Sequence, residues 1–165
     1  MTGATVILEA MSQAGGEPPW VAETRSHRRG VRTSAMDVED ALARPAAGRT
    51  DLWRLDLRDR IASLAGAFDR HIEVSESPGG VLESVVADQP RLLHRADRLR
   101  RDHEDIHEGL HRLVVDMDLD RPLDTDEIGQ IRVRVSDLLG LISHHRYLGA
   151  EFIYQGYEVD IEAGD

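Results

Sequence analysis

Apolar residues recur at alternating steps of three and four along three long stretches of this chain, the spacing that gives a helix one buried stripe. The first stripe runs Trp53, Leu57, Ile61, Leu64 and Phe68. The second runs Leu92, Ala96, Leu99, Ile106, Leu110, Leu113 and Met117, and the third Ile128, Ile131, Val135, Leu138, Ile142, Gly149 and Phe152. Each stripe carries a histidine where an aliphatic residue is expected: His71 at the end of the first, His103 inside the second and His145 inside the third. A helical core does not normally place imidazole at such positions unless something there binds it, because a buried polar group needs a partner. A hydrogen-bonded core histidine is the alternative for each one taken alone.

Punctuation sets the helix limits. The first long helix opens at Thr50 or Asp51, whose side chains can cap free amides, and runs to about Val74. Ser77-Pro78-Gly79-Gly80 breaks it, and Val81 to Ala87 continues as a short apolar helix. Pro90 suits the first turn of the second long helix, where a missing amide hydrogen costs nothing, and that helix ends near Met117. After an acidic connection, Asp124 and Glu127 have capping-box spacing, with Thr125 as a competing cap, and the third long helix runs to about Tyr157. A short helix over residues 34–44 precedes all of these and ends at Pro45 and Gly48. Residues 1–33, with Gly15-Gly16, Pro18-Pro19 and a run of arginines, read as a poorly ordered extension carrying one short element around residues 5–11. With no strand-period alternation and no Gly-rich phosphate loop, the fold class is all-α.

Composition narrows the chemistry. At 165 residues the chain is one domain, and its 41% apolar but only 4% aromatic content suits a lean helical core. The net charge of −11 argues against nucleic acid or an anionic membrane as partner. There is no Lys and no Cys, so any metal must take His and carboxylate ligands. No signal peptide or membrane span is legible at the N-terminus, and the expected location is the cytoplasm.

The densest candidate chemistry is His103-Glu104-Asp105-Ile106-His107-Glu108-Gly109-Leu110-His111. Histidines four apart share a helix face, so His103 with His107, or His107 with His111, can chelate one ion. The stretch also reads twice as H-E-x-x-H, the zinc-hydrolase pattern, although no strands or clear third ligand accompany it. Glu76 and Glu151 are carboxylates that can join the histidines, against the plainer reading of solvated surface charges; His27, His94 and His144 lack supporting context.

Several phrases, in order, carry a resemblance. They are Phe68-Asp69-Arg70-His71 with Glu76, Ser77-Pro78-Gly79-Gly80-Val81-Leu82, Gln89-Pro90-Arg91-Leu92, Leu99-Arg100-Arg101-Asp102-His103, and His145-Arg146-Tyr147-Leu148-Gly149-Ala150-Glu151-Phe152-Ile153-Tyr154 with its tail through Ile161. Together they resemble the hemerythrin-like, or HHE cation-binding, domain in a divergent bacterial form, over about residues 35–162. The resemblance implies an up-and-down four-helix bundle over residues 34–162, with a short first helix, around non-haem iron that binds or senses dioxygen, nitric oxide or peroxide. His71, His103, His107 and His145 resemble the family's histidine ligands, with Glu76 or Glu151 as carboxylates. The sequence departs from the family's pattern at Ser75, Gly149 and Ala150, where a carboxylate is expected, and no histidine falls on the first helix. That ligand count fits a mononuclear or vestigial site better than a complete di-iron one. Two alternatives stand beside the cation-binding protein: a metal-free helical interaction or regulatory module, and a zinc hydrolase on His103, Glu104 and His107. An enzymatic role is not required by any of the residues.

Overall fold

The computed structural model describes the backbone of residues 19–162 and the side chains of residues 24–156. All regular structure among the described residues is helical. The elements are α1 (Pro19–Ala43), α2 (Thr50–Glu76), α3 (Val81–Asp88), a single 3₁₀ turn (Pro90–Leu92), α4 (Leu93–Asp116) and α5 (Thr125–Glu162). The expected element around residues 5–11 lies outside the described residues, as do the side chains of the expected C-terminal phrase beyond Gly156.

The four long helices form a bundle in which each neighbour runs antiparallel, as paired contacts show. Between α1 and α5, Arg28 donates to the Arg146 carbonyl while Arg132 donates to that of Arg44. Between α2 and α4, Arg54 reaches the Met117 carbonyl at one end and Glu76 meets His103 at the other. Between α4 and α5, Arg134 pairs with Asp116 and Arg95 with Glu151. No described helix is long and apolar enough to cross a membrane.

Helix α1 corrects the sequence expectation. It is not short, and residues 19–33, read as extension, are helical and belong to the bundle. Thr24, Val31, Ala35, Val38 and Ala41 form its buried stripe. These side chains are small and widely spaced, and the arginines between them masked the helical period. The other limits agree closely with the sequence, and their causes are visible. Gly79 sits at φ 75°, a left-handed turn that glycine adopts without strain, and its amide donates to Glu83 as α3 begins. The capping box is formed: the Glu127 amide donates to Asp124 Oδ1 and the Asp124 amide to Glu127 Oε2. Arg121, hydrogen-bonded to Glu127, holds that carboxyl down at about 2, with the Asp124 amide assisting.

The core has two apolar parts. The larger runs from Trp53, Leu113 and Met117 up to Ile61, Phe68, Ile106 and Ile142. The smaller gathers Val81, Leu82 and Val85 of α3 against Leu92, Ala96, Leu99 and Phe152. Gly156 lets α5 approach α3, since a Cβ there would meet Val85 Cγ1 at 2.7 Å. Along α4 and α5 the residues between these two parts are His103 and His145.

Candidate metal centre

His71 from α2, His103 from α4 and His145 from α5 meet at one level of the bundle. Their ring centroids are 5.2 Å (His71 to His103), 5.6 Å (His71 to His145) and 4.7 Å (His103 to His145) apart. One ligand atom from each lies within 4.8 Å of the other two. His103 and His145 are only 2% and 3% exposed. Phe68, fully buried, touches all three rings edge-on or tilted at 5.6 to 5.9 Å and closes the site on the side of the larger core.

His103 lies 13 residues before the end of α4 at Asp116, whereas His145 lies 20 residues after the start of α5 at Thr125, so equal helix ends would leave the two rings at different levels. The structure resolves this through α5, whose first turns project past the end of α4. There Arg132 stacks over Trp53 at 5.5 Å and donates to the Arg44 carbonyl, so the overhang packs on the α1–α2 connection. His145 thereby slides back to the level of Asp102 and His103.

Each ring has a polar side-chain neighbour at its Nδ1, and at His103 and His71 the distance is within hydrogen-bond range. His103 Nδ1 lies 2.5 Å from Glu76 Oε1, His71 Nδ1 3.5 Å from Ser75 Oγ, and His145 Nδ1 3.6 Å from Asp102 Oδ2. The inner atoms approach closely: His71 Nε2 and His145 Nε2 are 3.3 Å apart. Two nitrogens each about 2.0–2.1 Å from a tetrahedral ion stand about 3.3 Å from one another. Imidazoles that bind metal characteristically hand their other nitrogen to a carboxylate or comparable acceptor, which fixes tautomer and orientation. The pair Asp102 Oδ2 and His145 Nδ1 is buried with no hydrogen bond completed, so the anchoring is looser there than at His103.

Burial also sets the charge. It pushes His71 down to about 3, with the neighbouring His103 and His145 acting in the same direction. His145 is likewise down at about 3, through burial first and then His103 and Arg28. Burial lowers His103 too, against the opposing pull of Glu76. The three rings are therefore uncharged at neutral pH, with lone pairs free for a cation. Beside them lies a cavity of about 30 Å³, room for one small guest, lined largely by Val31, Phe68, Leu82, Leu99 and Phe152. From α1 come Thr24 and the charged Arg28, part-buried at the cavity wall and tied to the Arg146 carbonyl at 3.1 Å.

The remaining candidates are placed elsewhere. His107 faces Asp69 on the surface and does not join the triad. Because His103 and His107 enter different clusters, the H-E-x-x-H stretch does not close on one ion; Glu104 is exposed. The physical reason is angular, since a four-residue step turns about 40° round a helix and carries His107 from the core seam to its exposed edge. Glu151 accepts from Arg95 and Gln155 and is absent from the cavity wall. Glu76 sits at the site, but through His103 Nδ1. Among the described residues no carboxylate oxygen groups with the three inner nitrogens, so the donor set fits one ion and not a bridged pair. His144 contacts Arg98 at the surface. Sequence reasoning missed Asp102 and Arg28. Asp102 immediately precedes His103, yet its partner is on another helix, and Arg28 was hidden in a segment read as a tail.

Comparison with protein-family models, curated proteins and solved structures found no match for this chain.

Proposed function

We propose that this protein is a cation-binding helical bundle of the hemerythrin-like kind, holding a single divalent ion, ferrous iron or a comparable transition metal, on His71, His103 and His145. One observation carries the reading: three uncharged imidazoles from three helices converge inside the bundle, His103 braced on its outer nitrogen by Glu76 and His71 by Ser75, with Asp102 3.6 Å from His145 Nδ1. Three nitrogen ligands suit borderline divalent metals, and an ion so held keeps coordination positions open for a small ligand. Dioxygen, nitric oxide and peroxide are the ligand class that fits a cavity of about 30 Å³.

The chain's own side chains define the setting for that ligand. Phe68, Leu82, Leu99 and Phe152 exclude bulk water, and the Arg28 guanidinium favours a guest that gathers negative charge. Glu76 and Asp102 are positioning residues that act through His103 and His145.

Elemental analysis and the visible spectrum of aerobically purified protein test this reading. Stoichiometric metal that disappears in His103→Leu supports it. Metal-free protein that does not take up iron, cobalt or zinc, and that His103→Leu leaves equally or more stable, would reduce the triad to a buried polar layer in an interaction module.

A further inference from the structure

A second group of potential ligands stands outside the triad. His107 and His111, four apart on α4, turn their rings together with centroids 4.4 Å apart. Asp69 of α2 faces both: His107 Nδ1 is 2.8 Å from Asp69 Oδ1, and His111 Nε2 is 3.1 Å from Asp69 Oδ2. The three ligand atoms lie within 4.8 Å of one another, and the side chains are 40–50% exposed.

We infer that Asp69, His107 and His111 form a second cation site, open to solvent and selective for a borderline divalent metal such as zinc, nickel or copper. An i, i+4 histidine pair presents two nitrogens from one rigid helix, and the carboxylate completes a three-point set with water filling the other positions. Asp69 already stands 2.8 and 3.1 Å from the two rings, and all three ligand atoms lie within 4.8 Å, against about 3.3 Å round a tetrahedral ion, so side-chain rotations can draw them together. Because the donors come from α2 and α4, the ion staples these helices one turn from the interior triad. Exposure gives this site free exchange with solution, whereas two of the triad's three rings are buried. The inference does not depend on the interior site being occupied.

Zinc titration of the full chain after chelator treatment and dialysis, followed by calorimetry, separates the two sites. Wild type is expected to take up two equivalents, His111→Ala one, and His103→Leu one. His111 is exposed and alanine favours helix, so far-UV circular dichroism of that variant is expected to be unchanged. Asp69→Asn is expected to weaken the surface equivalent by about tenfold or more, since even outer partners of ligands cost about 10–100-fold. A single equivalent lost in His111→Ala and kept in His103→Leu upholds this site while removing the interior one. Unchanged stoichiometry and affinity in His111→Ala, or a single equivalent lost only in His103→Leu, overturns it.

Discussion

Two histidine clusters lie one turn apart on α4, and they differ in almost every physical respect. The interior triad draws one residue from each of three helices, with His103 and His145 buried and His71 part-exposed; the surface group takes two from one helix and is half exposed. The triad's rings are driven to the neutral state by burial; His103 and His71 are braced outward on Glu76 and Ser75, and Asp102 stands near His145 with no hydrogen bond completed. In the surface group the carboxylate itself lies among the ligand atoms, and water supplies the dielectric. Residue type is thus a poor guide to role. Position on the helix circumference decides whether an imidazole stands in the core or in solvent.

The largest expected effect comes from His103→Leu. In metal-loaded protein it should abolish interior binding and lower the thermal midpoint, whereas in chelated protein stability should be unchanged or higher. Thermal unfolding with and without chelator reads both, and no such divergence would place the triad on a par with the surface group. Next is Glu76→Gln, which leaves His103 in place but weakens its brace. Interior affinity should fall about 10–100-fold with stoichiometry intact, while the surface equivalent is unaffected. Competition with a chromophoric chelator checks this.

Acid sharpens the contrast in chelated protein. His71 and His145 titrate near 3 when folded and near 6.5 when unfolded, so below about 6.5 the unfolded chain binds more protons. Stability present above pH 6.5 is lost as the pH falls towards 3, by about 1.5 kcal/mol per histidine between pH 6.5 and 5. Urea unfolding at the two pH values measures it, and His145→Leu should flatten the slope. The smallest effect is that of Asp69→Asn in chelated protein, expected to change unfolding free energy by less than about 1 kcal/mol because exposed ion pairs contribute little. A larger loss would mean that the surface group is a structural clasp.

Much of this was legible beforehand. The buried residues Trp53, Leu57, Ile61, Leu64 and Phe68, and all of the α4 seam from Leu92 to Met117, fall where the 3–4 spacing placed them, and His103 and His145 with them. The first half of α1 was missed, although residues 34–44 were read as helix, because alanine, valine and threonine make a faint stripe beside strong basic residues. His107 and Glu151 were grouped with the triad because linear spacing does not say which edge of a seam turns inward.

By itself the sequence determined, the first half of α1 apart, which segments are helices, about where they start and stop, and which face of each is apolar, because those depend on interactions within a turn or two of the chain. Only the tertiary structure decided that α5 overhangs α4, that His145 thereby reaches the level of His71 and His103, and that Asp102, Ser75 and Glu76 stand behind the rings. The reason is that helix register and rotation are set by packing between helices, where shifts of a few ångströms change every partner while leaving the periodic pattern unaltered.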